Sequence, residues 1–134
     1  MTLPRRRGLP PGLRLAVWVG HILAAVRPAV LQHALGIISR GARPADPDVL
    51  ADITAQIERS GGRVAGWRGC LPRSIAVCLV ARARGTWPDS WCAGVHRSAP
   101  FSAHAWVEHA GAIVGEPEDV DAYRALVRVD RSSP

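Results

Sequence analysis

The hydrophobic pattern of the chain changes at Gly85, and this change limits the elements that it can form. Before Gly85, residues 70–84 show helical spacing, and one face carries Leu71, Ile75, Cys78, Leu79 and Arg82. Pro72 is tolerated because it falls in the first turn. After Gly85, short apolar runs separated by turn residues predict strands. The pattern therefore predicts helices first and a small sheet afterwards.

An earlier helix is predicted to begin at Asp46. Its side chain suits a helix cap, Pro47 is pre-set for the first helical position, and Asp48 favours the positive end of the helix dipole. Gly61-Gly62 is predicted to end this helix. Its apolar face is expected to carry Val49, Leu50, Ile53 and Ile57.

The second half of the chain is predicted to contain three strands, at residues 91–95, 101–108 and 112–116. Residues 120–129 are predicted to form a terminal helix or an irregular tail. No internal repeat is visible in the sequence.

Length and composition bound the class of protein. A chain of 134 residues has room for one domain with a modest core. The net charge of +6 comes from 17 arginines without any lysine, and no helix-turn-helix, zinc-finger or aromatic RNA-binding motif accompanies them. Nucleic acid is therefore not expected as a partner. Three cysteines, an odd number, indicate a reducing compartment, so we expect a cytoplasmic protein. No metal-ligand spacing and no Walker-type loop is present, so no cofactor is expected.

Residues 1–45 are predicted to form a basic arm and an apolar helical segment, followed by a compact unit at 46–134. The apolar run at 13–26 is too short for a bilayer-spanning helix, which needs about 20 residues. A basic start before a short apolar run also resembles a secretory signal. His21 within the run and the lack of a small-x-small cleavage site favour a buried or partner-docking helical hairpin. Membrane-surface association is a further alternative.

Cys70 stands at the head of a predicted helix, where a thiol can become a nucleophile. Unpaired backbone amides and the helix dipole stabilise a thiolate there, and the same amides can hold a developing oxyanion. A lone cysteine is more often a small buried hydrophobe, and Cys78 and Cys92 fit that interpretation. Gly69 distinguishes Cys70, because a glycine lets the backbone approach a substrate closely.

The predicted hairpin brings a histidine and a carboxylate together. A three-residue loop, His109-Ala110-Gly111, pairs His104 with Glu116 on one face. A carboxylate beside an imidazole fixes its tautomer and supports its protonated form. A two-residue Ala110-Gly111 turn would point Glu116 to the opposite face, and Asp119 is then the alternative acid. Taken singly, His104 also fits a half-buried strand histidine and Glu116 a solvated carboxylate.

Two motifs follow one another in a fixed order. Cys70-Leu71-Pro72-Arg73-Ser74 opens the predicted helix, and Phe101-Ser102-Ala103-His104-Ala105-Trp106-Val107-Glu108 is followed by Gly111. On these motifs, residues 46–126 resemble the transglutaminase-like leader peptidases of bacterial lasso-peptide biosynthesis, and the apolar, Arg-rich start is similar as well. The resemblance implies an α+β, papain-like or transglutaminase-like catalytic domain, in which a helix N-terminus carries the nucleophile against a short antiparallel sheet.

The resemblance also implies roles for single residues. Cys70 matches the nucleophile, His104 the base and Glu116 the acid, although the family more often has Asp at that position. The implied activity is that of a cysteine endopeptidase, which removes the leader from a ribosomally made precursor peptide. The freed core amine would then pass to a separate, ATP-using lasso cyclase. Because 134 residues leave no room for a leader-recognition domain, the chain resembles the split type, in which a small companion protein captures the leader.

Two other functions fit the same residues. An acyltransferase on this fold would hand the acyl group to an amine instead of water. A non-catalytic docking subunit would use the arginines and the apolar N-terminal helices to hold other maturation proteins or a membrane face.

Overall fold

The computed structural model describes residues 10–59, 69–98, 102–116 and 120–131. Within these ranges the helices come first along the chain: α1 (Pro11–Ala24), α2 (Pro28–Ile38), α3 (Pro47–Arg59) and α4 (Cys70–Ala83). The strands are β1 (Arg43–Pro44), β2 (Thr86–Trp87), β3 (Ser90–His96), β4 (Ala103–His109), β5 (Ala112–Ile113) and β6 (Tyr123–Asp130). The predicted order, helices before the main sheet, is confirmed.

The start of α3 follows the predicted capping chemistry. The Asp48 backbone N–H donates to Asp46 Oδ1 at 2.8 Å, and Pro47 occupies the first helical position. The buried face carries Leu50, Ile53, Thr54 and Ile57. The assignment of Val49 to this face is wrong, since its side chain is 40% exposed. The predicted Gly61-Gly62 end lies outside the described residues.

Helix α4 lies at the centre of the molecule. It contacts α1, α3 and the sheet and is buried nearly all round. Of the residues predicted to share one face, Ile75 and Cys78 are fully buried, whereas Leu71, Leu79 and Arg82 are only partly buried. Gly85, with a φ of +80°, follows the end of the helix, because a glycine adopts this backbone conformation without strain.

Helix α1 packs closely on α4. A Cβ atom at Gly20 would lie 2.7 Å from the Pro72 carbonyl oxygen, so only glycine permits this approach of the two backbones. One hydrophobic cluster takes members from both sides of residue 45, including Leu13, Leu35, Ile75 and Val107. The division of the chain at residue 45 stays a prediction. None of the described helices combines the length and the apolar character that crossing a membrane requires.

The main sheet is antiparallel, with the strand order β5-β4-β3-β6, and β1 and β2 form a separate parallel pair. Strands β3, β4 and β5 confirm the three predicted strands, although β5 is only two residues long. The predicted first residue of the second strand, Phe101, lies outside the described residues. Ala105 and Val107 on β4 face the helices, whereas Trp106 packs in a second cluster with Cys92 and Tyr123.

The prediction of a terminal helix or irregular tail at 120–129 is wrong. Apart from a 3-10 turn at Val120–Ala122, this segment is strand β6, paired with β3. Its register passes from Val127 opposite Ala93 to Ala125 opposite Gly94, so Leu126 is a bulged residue without an opposite partner. The bulge puts Val127 on the helix side and Ala125 on the other side of the sheet. The alternation of inward and outward side chains therefore breaks midway along β6, so the sequence does not show the period of two that is typical of a strand.

The predicted three-residue loop between β4 and β5 is also wrong. His109 pairs with Ala112 and Glu108 with Ile113, which leaves a two-residue Ala110-Gly111 turn. Ala110 and Gly111 have φ angles of +51° and +78°, as hairpin turns with a left-handed backbone at both central positions require.

Candidate active site

Cys70 is the first residue of α4 and is 7% exposed. Gly69 before it has no side chain to cap the helix, so the first-turn amides are not taken up by a cap at this position. Burial raises the pKa of the Cys70 thiol. A hydrogen bond with His104, one with the Ala105 backbone, and the charges of His104 and Arg73 outweigh burial and lower this pKa below its usual value.

His104 lies near the start of β4, where its side chain is 10% exposed. Burial lowers the pKa of the imidazole, but hydrogen bonds to Cys70 and Glu116 and the charges of both partners raise it to about 9. A lowered thiol pKa beside a raised imidazole pKa favours a thiolate–imidazolium pair. Because Nε2 faces Glu116, Nδ1 is the ring nitrogen left for Cys70.

Glu116 reaches His104 despite the two-residue turn. Its Oε2 lies 2.6 Å from His104 Nε2. The strand that would have carried Glu116 to the opposite face ends at Ile113, and Gly115, with a φ of +78°, redirects the chain. The expectation that this turn separates the two side chains is therefore wrong. Asp119, the alternative acid, lies outside the described residues.

Arg73 was missed as a member of this cluster. It lies one helical turn after Cys70, and its Nη2 lies 3.4 Å from Oε1 of Glu116. The Arg73 side chain is 6% exposed and that of Glu116 16%, so this ion pair lies largely inside the protein. The spacing of three residues within Cys70-Leu71-Pro72-Arg73 was the available signal, since it places both side chains on one end of the same helix.

Two aromatic rings pack against the imidazole. The His104 ring centroid is 4.9 Å from that of Tyr123 and 5.8 Å from that of Trp106, with interplanar angles of 29° and 17°. These near-parallel contacts restrict the rotation of the ring. Tyr123 was missed because the strand that carries it, β6, was predicted as a helix or tail.

Comparison with known families finds one match. A family model described as the Transglutaminase-like superfamily matches residues 13–128, which is more than half of the chain. The chain belongs to the transglutaminase-like superfamily. Cysteine proteases and acyltransferases are the enzymes that this membership supports. No curated protein and no solved structure matches the chain significantly.

Glu108 is a buried carboxylate that holds one of the two rings packed against His104. Glu108 is 3% exposed, and it accepts hydrogen bonds from Trp106 Nε1 at 2.7 Å, Arg128 Nη1 at 3.0 Å and Cys92 Sγ at 3.2 Å. Burial raises the pKa of Glu108, but these donors outweigh burial and lower it. Glu108 thus fixes the indole that packs against His104. Glu108 ends the motif at residues 101–108, but no local pattern in the sequence indicates this role.

The other two cysteines are buried, as predicted, since Cys78 and Cys92 are each 0% exposed. Burial raises the pKa of Cys92 to about 12, and its hydrogen bond to Glu108 acts in the same direction. Burial also raises the pKa of Cys78. Cys70 is therefore the thiol that this transglutaminase-like domain can present as a thiolate.

A cleft of about 490 Å³ opens beside the pair and is lined by Cys70, Leu71, Ala93, Gly94, Ala103, His104 and Ala105. A peptide carbonyl in this cleft would meet the thiol and the imidazole together. Within the described ranges, no group of three or more His, Cys, Asp or Glu side chains is arranged to hold a metal ion.

Proposed function

We propose that this protein is a cysteine endopeptidase that removes the leader from a lasso-peptide precursor. The observation that carries the proposal is the chain of contacts from Cys70 through His104 to Glu116 at the wall of an open cleft. The resemblance of the Cys70 and His104 motifs to the lasso leader peptidases supplies the substrate.

In the proposed mechanism, the Cys70 thiolate attacks the carbonyl carbon of the last leader residue. Backbone amides at the N-terminus of α4 are available to hold the developing oxyanion. His104 gives its proton to the departing amine, the C–N bond breaks, and a thioester remains on Cys70. His104 then takes a proton from water, which attacks the thioester and releases the leader as a carboxylate. Glu116 keeps the imidazole oriented and supports its charged form.

The proposed partners follow from the substrate. A small companion protein captures the leader and presents it to the cleft, and the core peptide departs with a free α-amine. A separate, ATP-using cyclase joins that amine to a side-chain carboxylate of the core. Synthesis of the precursor by ribosomes and the need for a reduced Cys70 both favour a cytoplasmic location.

The test is incubation of the precursor and the companion with the wild-type chain or with Cys70→Ala, followed by mass spectrometry. We expect cleavage by the wild type and none by Cys70→Ala. Cys78→Ala, a thiol deletion on the same helix, is the matched control and should retain cleavage. Equal cleavage by the wild type and Cys70→Ala would contradict the proposal. With an added primary amine, a product that gains the mass of the amine instead of water identifies an acyltransferase.

A further inference from the structure

A second cavity, which the proposed mechanism does not use, adjoins the cleft. It has a volume of about 290 Å³ and shares Leu71, Ala93, Gly94 and Ala103 with the cleft walls. Leu71 follows Cys70 directly along the chain, so one of the shared wall residues is the neighbour of the thiol. We name it the apolar recess.

The apolar recess suits a hydrocarbon side chain. Its far wall is built from Ala24, Val26 and Leu31 at the α1–α2 connection and from Leu126 and Val127 on β6. Among the described residues that line it, Gln32 carries a side-chain amide, Trp91 has an indole N–H that already donates to Ser74, and none is charged. An ionised side chain in such surroundings would lose its hydration without gaining a partner. Its volume lies just below that of sites for whole small molecules, which fits the binding of one side chain.

The bulge in β6 builds one wall of the recess. Leu126 is the residue that the register skips, so its side chain is turned out of the regular alternation. It is 64% exposed, although it lines the recess. A large apolar side chain left in water gains by contact with an apolar group that enters beside it. Bulges next to active sites commonly redirect a side chain in this way.

We propose that the apolar recess binds one bulky aliphatic or aromatic side chain of the substrate, on the acyl side of the scissile bond. This inference rests on the proposed acyl transfer to Cys70. The acyl segment is the part of the substrate that stays on Cys70 after the amine has left, and Leu71 and Ala103 lead directly from the thiol into the recess.

Peptidyl fluoromethyl ketones test the proposal, since they carry acyl-side residues only. The Cys70 sulfur forms a bond to the methylene carbon and fluoride leaves, so labelling of Cys70 is read as a mass increase. One of the first three acyl-side positions at a time carries Leu, Phe, Ala or Asp. We expect that at one position Leu and Phe label about 10- to 100-fold faster than Ala, and that Asp is slowest. Equal rates at every position would overturn the proposal.

The matched variants are Leu126→Arg and Leu15→Arg. Both side chains are largely exposed, at 64% and 61%, but Leu15 lies on α1 away from the recess. Leu126→Arg should lower the preference for Leu over Asp at least tenfold, because a guanidinium at the rim attracts a carboxylate. Leu15→Arg should leave the preference unchanged. An unchanged preference in Leu126→Arg would overturn the proposal.

Iodoacetamide separates failure of the recess from failure of the proposed function. It has no side chain to bind, so its rate with Cys70 measures the reactivity of the thiolate alone. Normal iodoacetamide labelling without side-chain preference refutes the recess and leaves the nucleophile intact. Absent iodoacetamide labelling of Cys70 in the folded wild type contradicts the nucleophile, and with it both proposals.

Discussion

Replacement of Glu116 by Gln removes a charge from the site with little change in shape. The carboxylate contributes both a hydrogen bond at 2.6 Å and a negative charge to the elevated pKa of His104. The other raising contributions come from Cys70, while burial of the ring acts in the opposite direction. Glu116→Gln therefore removes one of the two partners that support the imidazolium.

The magnitude follows from the pKa of His104, which is raised from 6.5 to about 9. If the two partners share this effect, loss of Glu116 should lower the pKa of His104 by on the order of one pH unit, or about 1.4 kcal/mol. The imidazolium would then be lost earlier as the pH rises. The Cys70 thiolate would lose part of its cationic partner, so its pKa should move back up toward the ordinary value. The thiolate–imidazolium pair therefore exists over a narrower pH range, because the pKa of Cys70 sets the lower limit and the pKa of His104 the upper one.

The assay is an NMR titration of the His104 ring, assigned with His104→Gln, together with iodoacetamide labelling of Cys70 as a function of pH. Cys78 and Cys92 are 0% exposed and should contribute little to the labelling. Glu58→Gln, which removes an exposed carboxylate from α3, is the matched control. We expect a wild-type midpoint near pH 9 and an unchanged midpoint in Glu58→Gln.

Glu116→Asp separates the charge from the hydrogen bond. The side chain becomes shorter by one carbon–carbon bond, about 1.5 Å, which breaks the direct contact but keeps the charge. Its midpoint should therefore lie between those of the wild type and Glu116→Gln. An unmoved His104 midpoint in Glu116→Gln, with an unchanged melting temperature, would refute the role assigned to Glu116.

Four further changes test the surroundings of the site. Arg73→Gln should raise the pH midpoint of Cys70 labelling, since it removes a nearby positive charge, and Arg73→Lys should restore part of the shift. Glu108→Gln should lower the free energy of unfolding by about 1–3 kcal/mol in urea titrations, because buried donors lose a charged acceptor. Gly94→Ala should cost about 1–3 kcal/mol in the same titration, because its Cβ would overlap the β6 backbone. Gly115→Ala should cost about 1–2 kcal/mol through its φ of +78° and should also lower the NMR midpoint of His104, since it disturbs the turn before Glu116. A variant whose free energy of unfolding or pH midpoint equals that of the wild type would contradict the role assigned to the replaced residue.

The helical part of the molecule was predictable because its signals are local. Asp46 and Pro47 begin α3 as their own chemistry dictates, and residues 70–84 form a long apolar run with helical spacing that ends at Gly85. The position of Cys70 on the first turn of α4 follows from the same pattern. Strand β6 was not predictable in this way, because the bulge at Leu126 breaks the alternation of its apolar and polar residues. Its apolar residues also pack on both sides of the sheet. That error concealed Tyr123 as a neighbour of His104 and Leu126 as a wall of the apolar recess.

The meeting of His104 and Glu116 was expected from a register that the hairpin does not adopt. Strand parity decides which face a side chain takes only while the strand continues, and β5 ends after Ile113. Beyond that point the direction of Glu116 depends on Gly115, whose backbone packs so closely on Thr54 that a Cβ atom would lie 3.0 Å from it. The position of the acid thus depends on the left-handed turn at Gly115 and on its close packing against α3, neither of which the strand alternation encodes. A shorter Asp at residue 116 would need this turn to lie nearer the imidazole, so the length of the acid and the path of the turn must change together.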